Sequence, residues 1–469
     1  MQPMTIKEIV NACSGALLAG SPDKTLTAFT TDSRNVPLNA LFVPIRGENA
    51  DGHNFLDAAV KNGAEAVLSA EKGIAERLAK DNPSLGVILV KDTTEAFQEI
   101  AKAYRKTLKL PAVGVTGSVG KTTTREMVSA ALSSGLKVFK TEKNFNNWLG
   151  TPTTLLSMTD EDDIAVLELG LRIPGELGRI SSLANLDCAV ITNIGSAHME
   201  FYGSREEICK EKFTITRGFS EEEAPEKRRL FLNADDPLLY AASKSCIYPC
   251  TLYGFSEEAE YRGVNLRQEA EKTVFDFVRR GEFMFSVTLS VPGDFNVQNA
   301  LAALAVADRY NLNLKQAAEK LSQYTGFKGR LMQHQHKGVL IIDDTYNASP
   351  DSMKGGLDIL EKLSGLKGTK TAVLSDMFEL GENTDAFHYE VGAYAAGKKI
   401  DRLFLTGEFS KQIKKGAEEN GAAFEIRWFD TKEDLLSCLL ATLQPLDAVY
   451  LKASNGMKLS EVTEGLLNA

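Results

Sequence analysis

Short apolar runs closed by glycine or polar residues alternate along this chain with stretches whose apolar positions recur at helical spacing. The alternation predicts strands joined by helices, hence an α/β protein. Thr5-Ile6-Lys7-Glu8 has the form of a capping box and opens a helix through Cys13. Strands follow at Ala40 to Ile45 and Val87 to Val90, then a basic helix from Glu95 to Lys109. After Pro111, the residues Ala112, Val113 and Val115 read as a buried strand and Gly117 to Thr122 as a tight turn. Thr123 to Ser134 then reads as a helix that buries Met127, Val128, Ala131 and Leu132 and ends at Gly135.

Further strands are expected at Ile164 to Leu167, Asp187 to Thr192 and Leu230 to Leu232, with a helix from Ser204 to Arg217 and a charged surface loop from Ser220 to Arg229. Alternating Val274, Phe275 and Phe277, then Phe283, Phe285, Val287 and Leu289, predict antiparallel strands at a sheet edge. Asn296 and Asn299 open an alanine-rich helix at 300–309, and Gly326 to Arg330 reads as a second boundary. Beyond it, strands at Val339 to Ile342, Ala372 to Leu374, Arg402 to Leu405, Phe424 to Phe429 and Ala448 to Leu451 alternate with helices, a Rossmann-like pattern. The expected domains are 1–108, a small α/β unit, 109–327, a central phosphate-loop α/β unit, and 328–469.

A length of 469 residues with 43% hydrophobic content supports separate cores of this kind. The net charge of −10 argues against a nucleic-acid partner, whose footprint would be basic. No apolar run is long enough to span a membrane, and the six cysteines form no C-x-x-C pair, which suits reduced thiols in a cytoplasm. His334 and His336 alternate on an expected edge strand without a third ligand nearby, so a metal site there is disfavoured. The third unit has no G-x-G-x-x-G, which disfavours a dinucleotide.

The strand, glycine-rich turn and helix start around Gly117, Ser118, Gly120, Lys121, Thr122 and Thr123 would aim backbone N–H groups at one point, where a phosphate chain fits. Five residues separate Gly114 from Gly120 and two separate Gly117 from Gly120, so the strict phosphate-loop spacing is not met. Lys121 would reach the outer phosphates, and Thr122 with Glu168, at the end of its apolar strand, would hold Mg2+. His198 falls past another strand end on the same sheet edge, although a lone histidine is usually structural. Lys212 sits on a charged helix, and spacing alone makes it a solvated residue. Asn144 and Asn147 lie in an asparagine cluster that is equally a turn, and the loops with Ser33, Arg34, Arg46 and His53 are as consistent with turn formers as with a ligand site.

TGSVGKTTT, NFNNWLGTP, ELG at 168–170, NIGSAHME, NADDP and DDTYNASPDSM together resemble the motifs of the Mur ligase family over nearly the whole chain. YNASP and DMFELGE at 376–382 resemble the branch that joins D-alanyl-D-alanine to UDP-N-acetylmuramoyl-tripeptide at the cost of ATP. The resemblance implies Lys121 on the phosphates, Thr122 and Glu168 on one Mg2+, His198 on a second, and Lys212 carbamoylated by CO2. It implies Asn296, Asn299, Arg330 and Asp344 on ATP, and Ser33, Arg34, Arg46, His53, Asn144, Asn147, Tyr346 and Asn347 on the substrates. A cytoplasmic monomer without membrane insertion is the expected form.

Departures from the family pattern occur at Leu38-Asn39, Thr214, Phe295 and Asn455. Two alternatives stand beside this expectation. One is a sibling or folylpolyglutamate-type ligase that adds a single amino acid; the other is a nucleotide-dependent switch protein without ligation.

Overall fold

The computed structural model describes residues 1–47, 50–219, 224–269, 272–363 and 367–469, so the first part of the predicted charged loop, 220–223, lies outside the described residues. Among these residues the strands form three large sheets and one short two-stranded ladder. The first large sheet has five strands, parallel except for the antiparallel pairing of Ala16–Ala19 with Gly86–Leu89. The second has nine, running from Glu282–Leu289 at one edge to Val138–Lys140 at the other. Its antiparallel members are the predicted phenylalanine-rich strands Lys272–Arg279 and Glu282–Leu289, paired beside Tyr261–Glu269. The third has six, parallel apart from the edge strand Met332–His336.

The central sheet is covered on both faces, as its continuous apolar strands require. Val113, Val115, Val166 and Val190 share one apolar cluster with Met127, Val128, Ala131 and Leu132 of the helix Lys121–Leu132 and with the alanine-rich helix Asp294–Arg309. The alternate positions Ala112, Ala165, Leu167, Ala189 and Ile191 enter a second cluster on the opposite face.

That second cluster crosses the expected boundary at 108. It joins Ile6, Ile9, Phe97 and Ile100 to Leu155, Leu156 and Leu167 through the helix Thr93–Thr107. Asp92 caps this helix by accepting from the N–H groups of Thr94 and Glu95, so it starts before the predicted Glu95. Near its end, buried Arg105 donates to the carbonyls of Ala184 (2.8 Å), Asn185 (2.9 Å), Leu110 (3.0 Å) and Leu108 (3.3 Å). Tyr104 donates to the Met158 carbonyl at 2.5 Å and accepts from the Gln2 N–H at 2.8 Å.

Three helix limits differ from expectation. The helix after the phosphate turn starts at Lys121 rather than Thr123, and it stops at Leu132 without using Gly135, whose backbone is not left-handed. The predicted helix to Arg217 is α-helical only over Arg205–Phe213 and tightens to a 3-10 turn over Thr214–Gly218. The alanine-rich helix starts at Asp294 rather than 300, which puts Asn296 in its first turn and Asn299 in the second. By contrast, Asn39 adopts the left-handed backbone that its side chain tolerates, at φ 54.

Arg105→Met is expected to strand several buried carbonyls and to lower unfolding free energy by about 3 kcal/mol. Guanidinium denaturation of both proteins measures this, and a loss below about 0.5 kcal/mol would show that Arg105 is not the clamp it looks to be.

Candidate active site

Parallel register brings the strand ends of the central sheet together. Glu168 pairs with Val115 and Ile191 with Thr116, so the turn after Thr116, the Glu168 carboxylate and the segment after Ile191 share one edge. The turn is held from that neighbouring segment. Ser118 N–H donates to the Asn193 carbonyl (3.1 Å), Val119 N–H to Asn193 Oδ1 (3.0 Å), and Thr192 Oγ1 to the Val119 carbonyl (2.6 Å). A Cβ on Gly117 would lie 1.8 Å from Thr192 Oγ1, so only glycine allows the approach. Gly120 has φ 83 and is the N-cap of the helix Lys121–Leu132; no side chain caps that helix. Its first-turn N–H groups therefore remain open to an anion. Ser118 Oγ and Thr116 Oγ1 are buried with no hydrogen-bond partner among the described residues.

Lys121 Nζ turns back onto the carbonyls of Gly117 (2.8 Å) and Ser118 (3.2 Å). Burial pushes its amine down to about 8; Glu168 opposes the shift and Arg330 adds to it. Thr123, on the same turn, is half-buried. Thr122 Oγ1 donates to Glu168 Oε1 at 3.2 Å. Glu168 is only 2% exposed and also accepts from Asn146 Nδ2 (2.7 Å) and Arg125 Nη1 (3.1 Å). Asn146 is thus the member of the asparagine cluster that meets Glu168. Asn147 Oδ1 instead accepts from the N–H groups of Leu149 and Gly150, and Asn144 is exposed.

Lys212 is 1% exposed, which contradicts its reading as a solvated helix residue. No hydrogen bond or ion pair meets its Nζ among the described residues. Burial first, then the Lys121 charge, pushes its amine well below the ordinary lysine range. His198 Nδ1 lies 2.9 Å from Glu379 Oε2 of the third unit, at an angle poor for a hydrogen bond. Burial lowers the imidazole pKa, Glu379 raises it, and the charges of Lys121 and Lys212 lower it again.

Asn299 Oδ1 accepts from Thr124 Oγ1 at 2.9 Å and sits 3.2 Å from where a Gly120 Cβ would be. Asn296 donates to the Pro292 carbonyl at 2.6 Å. In the third sheet, Asp344 and Lys452 are register partners and their side chains pair, with Tyr450 OH donating to Asp344 at 2.9 Å. Lys452 also donates to the Asn347 carbonyl at 2.9 Å, and Arg330 stacks on Tyr346 at 4.3 Å. Ser196 N–H and Oγ both donate to Asp351 Oδ2, each at 3.0 Å.

The first unit's candidate residues are held by partners of their own. Arg34 pairs with Asp32, and Arg46 pairs with Asp51 and Glu71. Asn62 Nδ2 donates to the Ser33 carbonyl at 2.7 Å. His53 is buried with both ring nitrogens engaged, Nδ1 by Asp51 (2.7 Å) and Nε2 by the Ala70 N–H (3.0 Å), so it braces its turn and is not the surface residue that its loop allowed.

The depressed Lys121 amine fixes a pH dependence. Between pH 8 and 10.5 the unfolded chain holds a proton that the folded chain has released, so stability rises with pH across that window. The unfavourable contribution is full below the folded value and vanishes above the unfolded one. Lys121→Met is expected to flatten the slope by up to about one proton. Urea melts across the window test this; an unaltered slope would refute it.

Residues 25–105 match the Mur ligase family catalytic domain, 115–307 the Mur ligase middle domain, and 329–455 the glutamate ligase domain of Mur ligases. The chain is 38% identical to UDP-N-acetylmuramoyl-tripeptide--D-alanyl-D-alanine ligase of Bacillus subtilis, over 99% of this chain and 98% of that protein. It is similar to MurF of Acinetobacter baumannii in crystal structure, with TM-score 0.89 and 27% identity over 100% of both chains. It is also similar to MurF ligase of Thermotoga maritima in complex with ADP, with TM-score 0.83 and 29% identity over 94% of this chain and 97% of that one. Three α/β units, an open phosphate turn and matches along nearly the full length lead to one assignment: the chain belongs to the Mur ligase family.

Proposed function

We infer that this protein is an ATP-dependent ligase that joins D-alanyl-D-alanine to UDP-N-acetylmuramoyl-tripeptide in peptidoglycan synthesis. The observation that carries the reading is the uncapped helix start at Gly120, with Lys121 at its mouth and the buried amine of Lys212 beside it.

Amide formation from a carboxylate needs a better leaving group than oxide. The tripeptide carboxylate attacks the γ-phosphorus of ATP, giving an acyl phosphate and ADP. The amine of D-alanyl-D-alanine then attacks the acyl carbon and expels phosphate, with loss of a proton. The open N–H groups and Lys121 hold the phosphate chain against the incoming anion, which is positioning and charge compensation rather than covalent chemistry. Asn296, Asn299, Arg330 and Asp344 serve ATP in this reading, and Tyr346 and Asn347 serve the acceptor. Ser33, Arg34 and Arg46 serve the UDP-sugar, with His53 as a brace.

Thr122 Oγ1 and Glu168 Oε1, 3.2 Å apart, fit two neighbouring corners of an Mg2+ octahedron, whose edge is about 3 Å. Bound there, Mg2+ would neutralise phosphate charge. A second ion at His198 fits only if Lys212 changes sign, since Lys121 and Lys212 are otherwise both bases beside it. CO2 and a neutral Lys212 amine would give a carbamate anion and a proton, and the low amine pKa supplies that neutral form. We place the domain limits at 108 and 327, with the helix Thr93–Thr107 shared across the first. A cytoplasmic monomer is part of the same proposal.

ADP release should require both UDP-N-acetylmuramoyl-tripeptide and D-alanyl-D-alanine. Release with meso-diaminopimelate or glutamate as sole acceptor would overturn the assignment in favour of a sibling ligase, and nucleotide binding without turnover would leave a switch protein. Lys212→Ala should lose at least about 100-fold in kcat, with millimolar short carboxylates restoring part by filling the vacated anion position. Undiminished activity in that variant would remove the carbamate from the mechanism.

A further inference from the structure

Glu379 is absorbed by none of the roles above, yet it reaches from the third unit to His198. Its two carboxylate oxygens are divided: Oε2 lies 2.9 Å from His198 Nδ1 and Oε1 3.2 Å from Arg172 Nε. Both facing residues hold left-handed backbones, φ 62 at Glu379 and φ 64 at His198, a conformation that a residue with a Cβ rarely keeps without a reason. Two residues on, Gly381 at φ 60 packs against Glu200, with a Cβ position 3.1 Å from Glu200 Cβ. The same segment is gripped a second time where Asp351 accepts from Ser196 N–H and Oγ. A loop and a helix N-terminus of the third unit thus converge on residues 196–200.

We propose that Glu379 is a positioning residue for His198: its carboxylate faces Nδ1 at ion-pair distance and leaves Nε2 as the nitrogen offered to a hard cation. A carboxylate behind a metal-binding histidine sets its tautomer and ring orientation and increases its basicity. Because the carboxylate comes from the third unit, the cation site is completed only when that unit is docked. Arg172 steers the other oxygen away from the ring. The inference rests on the ligase reading, through the role it gives His198.

The test is a Mn2+ titration of the full-length protein with a non-hydrolysable ATP analogue and UDP-N-acetylmuramoyl-tripeptide, read by Mn2+ electron paramagnetic resonance, with kinetics alongside. Glu379→Ala should weaken Mn2+ binding about tenfold and lower kcat about 10–100-fold, with KM for D-alanyl-D-alanine within about twofold of wild type. Glu379→Gln, which keeps an acceptor oxygen, should recover part of both. His198→Ala is the reference for losing the ligand itself. Unchanged Mn2+ affinity in Glu379→Ala overturns the proposal even if kcat falls, because a contact that only docks the domains would slow turnover without moving the ion. If His198→Ala weakens Mn2+ and Glu379→Ala does not, the positioning role fails while the ligase reading stands. The Mn2+ titration keeps its meaning even if the wild-type protein released no ADP, so the two failures are distinguishable.

Discussion

The site depends on how a backbone turn can be held still without consuming the N–H groups it must offer. A phosphate turn that satisfied its own donors would have nothing to bind with, and one left free would lose entropy on every binding event. Here the solution is external. Asn193 takes the N–H groups of Ser118 and Val119, and Thr192 holds the Val119 carbonyl, so the leading half of the turn is fixed by the next strand. The trailing half, from Gly120 into the helix, stays uncapped. Gly117 is the condition for this, since any Cβ there would overlap Thr192.

Charge follows from that arrangement. An anion site built on one buried and one half-buried lysine is costly without its anion, and the lowered pKa values of Lys121 and Lys212 express the cost. Glu168 offsets part of it for Lys121, but its own oxygens are shared among Thr122, Asn146 and Arg125. Among the described residues no three acidic, histidine or cysteine side chains form a ready metal cage. The site is consequently short of negative charge until phosphates arrive.

Much of this was legible in the sequence because it is local. Continuous apolar strands, the turn at Gly117 to Thr122 and the carboxylate at the end of a strand are written in consecutive residues, and their shared edge follows from parallel register. What could not be read was long-range. Lys212 sits among charged neighbours on a helix of no clear polarity, and only the fold turns it inward. Asn146 differs from Asn144 and Asn147 by orientation alone. The Asp92 cap is local and lies in consecutive residues, whereas Glu379 meets His198 only through a contact between sheets. Among the departures, Phe295 packs with the third unit's apolar cluster, so its effect reaches across the boundary at 327.

The two domain junctions differ in physical kind, and that difference assigns them different mechanical roles. Between the first and second units a single apolar cluster is continuous, and Arg105 and Tyr104 are buried against carbonyls of the second. Separating them would expose that cluster and strand its hydrogen bonds, so the pair behaves as one body. Between the second and third units the ties among the described residues include the side chains of Asp351, Glu379, Arg172 and Lys362 with polar partners, Gly381 against Glu200 and the Phe295 ring. Water can replace most of those partners at little cost. Opening therefore belongs at the second junction, where Tyr346 and Asn347 can withdraw while the phosphate turn keeps its geometry.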